Sequence, residues 1–323
     1  MAHLIRRSRL TSAREQVRFA LSLLRGAYAF LLLTEKELIA ALDPKGLRPL
    51  SLGRLGSAWV VASETCAFDI IGAQYERDVL PGELIIINEQ GIHSETLTPD
   101  PSRTLCAMEY VYFSRPDSNL GGINVHTARK ELGRQLAREC PVEADVVTGV
   151  PDSSLSAAIG YAEELRIPYE LGLIKSRYIG RTFIEPSPSL REQGVKLKLS
   201  AVRGVVEGRR VALVDDSFVR GTTGRRITRL LREAGAKEVH VLISSPPIKY
   251  PCYYGIDTLS TAELLAANYS VQEITEIIGA DSLHFLSVEG MGKVLGSELC
   301  LACYTGDYPT PVPQSEVEED GRW

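Results

Sequence analysis

Val211-Ala-Leu-Val-Asp-Asp-Ser-Phe-Val-Arg-Gly-Thr-Thr-Gly224 is the stretch that decides the fold. Val211 to Val214 is a short apolar run that reads as a buried strand. It stops at two adjacent carboxylates, Asp215 and Asp216. A loop of small and polar residues follows, Ser217 to Gly224 with Arg220 inside it. Then comes an amphipathic run, Ile227, Leu230, Leu231 and Ala234, that reads as a helix. A strand, an acidic pair, a Gly/Thr loop and a helix start are the parts needed to hold a sugar phosphate. Loop amides and the Thr222 and Thr223 hydroxyls can cradle a phosphate at the positive end of the helix. Gly221 and Gly224 are expected to bring the backbone close and to adopt positive φ. The carboxylates can accept hydrogen bonds from vicinal sugar hydroxyls or help hold a hydrated divalent cation. An ordinary βα turn that happens to hold two Asp would explain less of this pattern.

The same rhythm runs through the second part of the chain. Asp145–Val150, Tyr169–Leu173, Val211–Val214 and Glu238–Ile243 read as strands, and Ser156–Leu165 and Ile227–Ala234 as helices. Such alternation predicts an α/β fold, a parallel sheet with helices on both faces. Earlier, short β-like runs (Ala27–Leu33, Leu38–Ala41, Trp59–Ala62, Leu84–Ile87) are separated by turn signals such as Asp43-Pro44-Lys45-Gly46 and Pro81-Gly82, which suggests antiparallel sheets. The change of rhythm falls near residues 93–104, with Thr96 to Arg103 as the crossing point.

Composition bounds the rest. The 323 residues allow one large domain or two ordinary ones, and 44% hydrophobic with 24% charged residues is a globular balance. A net charge of −5 argues against a nucleic-acid surface. No apolar run reaches membrane-span length, since Leu21 to Leu33 is broken by Arg25 and Gly26. The opening Met1-Ala-His-Leu-Ile-Arg-Arg lacks a signal-peptide core. A cytoplasmic protein with no membrane partner is expected.

Val146-Val-Thr-Gly-Val-Pro-Asp-Ser-Ser154 is a second strand ending in a polar turn. Ligands of parallel sheets gather beyond the carboxyl ends of the strands, so Val150, Pro151, Asp152, Ser153 and Ser154 should face the same pocket as Asp215 and Asp216. The bland reading is an N-cap cluster of Asp152, Ser153 and Ser154 for the next helix. Lys175 to Arg191 is basic and punctuated by Gly and Pro. Most charge runs are solvated surface. As a lid, its Lys175, Arg177 and Arg181 could neutralise a departing anion while closure excludes water.

Six cysteines in a cytosolic-looking chain argue against disulfides. Cys300-Leu-Ala-Cys303 has the spacing used for metal or cluster ligation or for redox work. Cys106 and Cys252 lie far off, and spacing alone does not join them to it. Cys66 and Cys140 read as packing residues.

The Asp-Asp-Ser-x-Val-Arg-Gly-Thr-Thr stretch resembles the phosphoribosyl-pyrophosphate (PRPP) motif of type I phosphoribosyltransferases, in its amidophosphoribosyltransferase version. Residues 1–93 resemble the later part of that family's glutaminase domain, an N-terminal-nucleophile (α+β) fold. That match runs through Gly26-Ala-Tyr-Ala-Phe30, Asp43 to Leu50, Ala62 to Phe68 and Val79 to Glu83. The resemblance covers the chain from about Ala2 to about Pro311. It implies a partial glutaminase-like domain over 1–100, a phosphoribosyltransferase domain with a carboxy-terminal cluster-binding segment over 101–315, and a solvated tail over 316–323.

The resemblance also implies roles. Asp215 and Asp216 would orient ribose and magnesium waters, and Ser217, Arg220, Gly221, Thr222, Thr223 and Gly224 would hold the 5-phosphate. Val150 to Ser154 would be the pyrophosphate loop, with Ser153 on Mg2+, and the lid core Arg177-Tyr-Ile-Gly-Arg-Thr-Phe183 matches the family's flexible loop. Some members carry a four-cysteine [4Fe–4S] cluster, which would make Cys106, Cys252, Cys300 and Cys303 its ligands. From the thiols alone a zinc site stays open.

Complete members begin with a nucleophilic cysteine, whereas this sequence opens with Met1 and Cys66 cannot replace it. The expectation is a truncated sequence or fragment rather than a natural ammonia-only enzyme, with a separate chain supplying the missing half as a third reading. Exposed sheet edges are expected, and at best ammonia-dependent amidophosphoribosyl transfer from Mg-PRPP, the first step of de novo purine synthesis. A homo-oligomer is expected. A PRPP-sensing regulator without catalysis and a nucleobase-salvage transferase are the rival readings.

Overall fold

The computed structural model describes residues 1–98, 102–175, 199–256, 258 and 260–312. Four strands, Val146–Gly149, Arg210–Asp215, Glu238–Ile243 and Ser282–Phe285, lie side by side in that order and all run parallel. The two central strands bury apolar runs, Val211 to Val214 and Val241 to Ile243. Such runs belong in a sheet covered on both faces.

One face is closed by the helices Val125–Glu139, Leu155–Leu165 and Val288–Leu295, whose Leu132, Leu136, Tyr161 and Met291 meet Ala212, Val214 and Leu242. Ile227 and Leu231 of the Thr222–Glu233 helix and Ile274 and Ile278 of the Val271–Ile278 helix close the other. The expected α/β sheet with helices on both faces is present. The first two helices cross in close contact at their glycines. A Cβ on Gly133 would stand 1.9 Å from the Ala157 carbonyl oxygen, and one on Gly160 1.9 Å from that of Lys130.

One element differs from expectation. Tyr169–Leu173 is not a strand. Only Tyr169 bridges Val147, and the ladder forms later, Leu173–Lys175 against Leu199–Ala201. Past that bridge the Gly172 amide donates to the Thr148 side chain, Oγ1 at 2.9 Å, in place of a strand carbonyl, so no ladder continues there.

The first 98 residues carry two antiparallel sheets. One orders Ala29–Leu33, Leu38–Leu42, Glu83–Asn88 and Gly91–Thr96; the other orders Ala58–Ala62, Ser51–Leu55 and Gln74–Asp78. Ala40, Leu42, Leu50, Leu52, Val79 and Ile85 form the core between them. Val17 and Leu21 of the Ala13–Ser22 helix cover the far face of the first sheet against Ile39 and Ile86. Asp43 is fully buried and accepts the amides of Tyr28, Lys45 and Leu47, which makes the predicted turn at Asp43–Gly46. Ala29–Leu33 is an edge strand that shows Leu31 and Leu33 to solvent.

The two parts meet along the segment that follows. Thr104 donates to the Lys45 carbonyl and Cys106 to that of Leu47. Arg48 Nη1 pairs with buried Glu109 at 2.8 Å, and its Nη2 donates to the Tyr254 carbonyl at 2.7 Å. Leu105–Cys106 pairs in parallel with Leu299–Cys300.

Candidate functional site

Asp215 ends its strand at the carboxyl edge of the sheet, where neighbouring strands release their loops. Val150 N donates to the Val214 carbonyl and Ser244 N to that of Asp215, both at 2.9 Å, so three loops begin at one spot. The acidic pair stands between them. Asp216 is 6% exposed, and its Oδ1 accepts Ser217 Oγ at 2.6 Å. Asp215 Oδ1 accepts Ser154 Oγ and the Asp216 amide, both at 2.9 Å.

Burial, then the neighbouring charge of Asp216, raises the Asp215 pKa, and the Ser154 and Asp216 bonds pull against it. Burial likewise raises Asp216, against the Ser153 and Ser217 hydroxyls and the charge of Arg129. Two carboxylates side by side in low dielectric hold more negative charge than the site tolerates alone. A hydrated divalent cation or a polyhydroxyl ligand is what such a pair fits.

Ser154 refines one reading. It occupies the N-cap of the Leu155–Leu165 helix, as the bland reading placed it, but with helical backbone angles (φ −94°, ψ −3°) its side chain makes no cap bond, and its hydroxyl donates to Asp215. Val150 is buried beneath this loop, and exposed Asp152 pairs with Lys175 at 2.6 Å. Arg177 and Arg181 lie outside the described residues.

The Ser217–Gly224 loop leads into the Thr222–Glu233 helix. Gly221 is its N-cap with φ +70°, which suits glycine and brings no capping side chain, so the exposed Thr222 and Thr223 face an open turn. Gly224 has no positive φ, contrary to expectation. It is needed because a Cβ there would stand 2.7 Å from the ring of Phe218, which is buried beneath the loop against Phe285. Arg220 Nε donates to Glu263 Oε2 at 3.0 Å, and the Leu265 amide to the Val219 carbonyl at 2.9 Å. Glu263 thus braces the loop from far along the chain.

Arg129 also escaped the sequence reading. It lies inside a helical run that reads as amphipathic surface, and nothing in the motif Thr127-Ala-Arg-Lys-Glu131 marks it. Only the fold brings it within electrostatic reach of Asp216.

Residues 124–250 match the family model described as a phosphoribosyl transferase domain. An amidophosphoribosyltransferase of Bacillus subtilis strain 168 is 64% identical over 324 residues, 98% of this chain and 68% of that protein. The chain belongs to the amidophosphoribosyltransferase family.

An amidophosphoribosyltransferase of Staphylococcus aureus strain MRSA252 is 49% identical over 95% of this chain and 64% of its own length. The chain thus spans about two thirds of the length of these relatives. The solved B. subtilis glutamine PRPP amidotransferase complexed with ADP and GMP superposes with a TM-score of 0.91 at 64% identity. The overlap covers 97% of this chain and 70% of that one. Membership makes this amidophosphoribosyltransferase relative a glycosyltransferase enzyme. No helix among its described residues is long and apolar enough to cross a membrane.

Four cysteines of this family member converge from distant positions. Cys106 and Cys300 are register partners on adjacent parallel strands, and Cys252 packs with Cys300 beside Leu47. Cys303 lies on the turn Ala302–Thr305, where its carbonyl accepts the amides of Lys249 and Tyr250, and its thiol feels the other three. Burial pushes the Cys106 thiol up to about 12, with Arg48 pulling the other way. Among the described residues, no three His, Cys, Asp or Glu stand close enough to share one metal ion. Cys66 and Cys140 lie elsewhere, as packing residues.

Proposed function

We propose that this chain carries the phosphoribosyl-transfer half of amidophosphoribosyltransferase chemistry. Ammonia attacks C1 of the ribose of Mg-PRPP, pyrophosphate leaves, and 5-phosphoribosylamine forms, the first step of de novo purine synthesis. The observation that carries this is the pair of half-buried Asp215 and buried Asp216, flanked by the Val150–Ser154 loop and the Gly221–Gly224 helix start.

In this reading Asp215 and Asp216 bind the ribose hydroxyls and, with Ser153, would hold Mg2+. The metal's contribution is to neutralise the diphosphate. Ser217, Arg220, Thr222 and Thr223 hold the 5-phosphate with the amides that open the helix. Val150 to Ser154 hold the pyrophosphate with Lys175, which must exchange its pair with Asp152 for the leaving group; Arg177 and Arg181 join it. The reaction asks little acid–base work of the protein, since positioning and electrostatics supply the acceleration. Cys106, Cys252, Cys300 and Cys303 hold a [4Fe–4S] cluster that ties the carboxy-terminal segment to the junction between the two parts.

Residues 1–100 are read as a glutaminase-like domain and 101–315 as the transferase domain. None of the six cysteines is assigned to glutamine hydrolysis, and Cys66 is buried beside Phe68. Ammonia is the nitrogen donor proposed for the transferase site itself.

The test is pyrophosphate release from Mg-PRPP by the anaerobically purified chain, with ammonia or glutamine. Release with ammonia alone is expected. Release with glutamine overturns the nitrogen-donor assignment, and silence with both overturns the transferase reading.

A further inference from the structure

Arg129 lies on the inner side of the Val125–Glu139 helix and is 3% exposed. An arginine so buried must be hydrogen-bonded and charge-compensated. Its Nε donates to the Tyr110 carbonyl over 2.6 Å and its Nη2 to the Ser114 carbonyl over 2.8 Å. Both acceptors are neutral. The negative charges it feels are those of Asp216 and Glu64.

Glu64 belongs to the other part of the molecule, just ahead of the Cys66–Ile71 helix. Its Oε2 accepts the Arg115 amide at 2.7 Å and the hydroxyl of fully buried Ser118 at 2.8 Å. Beside it, Thr65 Oγ1 accepts the Asn119 amide at 2.8 Å. The Ser114–Asn119 loop is therefore gripped from opposite sides. Glu64 and Thr65 hold it from the amino-terminal part. Arg129 holds it from the transferase part, with Glu109, whose Oε2 accepts Ser114 Oγ at 3.0 Å.

We propose that Glu64 is a positioning residue for the phosphoribosyl site: it fixes the Ser114–Asn119 loop, that loop's Ser114 carbonyl, with the carbonyl of Tyr110 before it, fixes Arg129, and Arg129 supplies the charge against which Asp216 binds ribose. The proposal rests on the reading of Asp216 as a PRPP ligand. It makes the amino-terminal part a structural component of a site to which it gives no contacting group. In a low-dielectric interior, interaction between charges is strong and steeply distance-dependent, so a small displacement of Arg129 weakens the hold of Asp216 on the sugar.

The experiment measures KM for Mg-PRPP and kcat, at saturating ammonia, for the unaltered chain, Glu64→Ala, Glu64→Gln, Arg129→Met and the double variant Glu64→Ala/Arg129→Met. Arg77→Gln serves as a control that loosens the same amino-terminal part away from the loop. Glu64→Ala is expected to raise KM about tenfold, with kcat changed less. Glu64→Gln keeps an acceptor oxygen and should restore KM to within about threefold of the unaltered chain. The double variant should be no worse than Arg129→Met, because both act through one chain of contacts. Should Glu64→Ala fail to fold, Ser118→Ala, which removes one donor, carries the same expectation at about threefold.

An unchanged KM in Glu64→Ala overturns the proposal. So do additive effects in the double variant, or an equal rise in Arg77→Gln, which would reveal only general loosening. No turnover by the unaltered chain overturns the PRPP reading itself, and the proposal with it.

Discussion

Ser154 Oγ stands 2.9 Å from Asp215 Oδ1, joining the first turn of one helix to the last residue of a strand sixty-one positions later. This bond aligns the two loops that the site needs together. Ser154→Ala would leave the half-buried Asp215 short of a donor, at a cost of about 1–3 kcal/mol. The expected result is a rise in KM for Mg-PRPP of roughly tenfold and a melting temperature lower by roughly 2–5 °C, read by steady-state kinetics and calorimetry.

Gly160→Ala should act on the scaffold instead. Its new Cβ would be driven against the Lys130 carbonyl, and neither helix backbone can yield cheaply. Overpacking of this kind costs about 1–3 kcal/mol, which in a protein of this size lowers the melting temperature by roughly 2–5 °C. A thermal scan showing no decrease would mean that the two helices part more easily than their contact indicates.

Acid should loosen the amino-terminal part through Glu83. Burial works to raise its pKa, but the Arg77 pair at 2.7 and 2.9 Å, the Ser94 hydroxyl and the Leu80 amide outweigh it and hold it below the ordinary carboxylate value. A folded-state pKa below the unfolded one stabilises at neutral pH. That contribution begins to fade as pH falls below about 4.5 and is gone once the folded pKa is passed. Denaturant midpoints of the unaltered chain and of Glu83→Gln, measured from pH 7 to pH 3, should converge as the pH drops.

Iron gives a direct check on the four thiols. Anaerobically purified protein is expected to carry about four irons and matching acid-labile sulfide per chain, and Cys303→Ser to retain less. One equivalent of zinc with no iron would replace the cluster assignment with a single-ion site.

Legibility followed sequence distance. The acidic pair, its loop and the next helix were readable because strand, turn and helix chemistry sit in fourteen consecutive residues, Val211 to Gly224. The polar turn at Ser153 and Ser154 was readable as part of the same pocket because parallel strands deliver their loops to one edge. Its true partner was not, since a serine before a helix looks like a cap whether or not a distant carboxylate claims its hydroxyl. Gly224 shows the same ambiguity, because close packing against Phe218 and positive φ both select glycine. Arg129, Glu64 and Glu263 were invisible for a stronger reason. Each is an ordinary charged residue locally, and each gains its role only from a contact 15 to 54 residues away. The four cysteines were joined only by family resemblance, and in space they meet through a ladder between the two-residue strands Leu105–Cys106 and Leu299–Cys300.

That ladder sets a schedule for biosynthesis. About 190 residues separate its two strands, so at roughly 5–20 residues per second Cys106 leaves the ribosome some 10–40 seconds before its partner exists. During that interval its thiol lacks the burial that suppresses its reactivity in the finished protein. The nascent chain is therefore most vulnerable to oxidants before its last segment is made, and oxygen exposure during expression should harm yield more than the same exposure after folding.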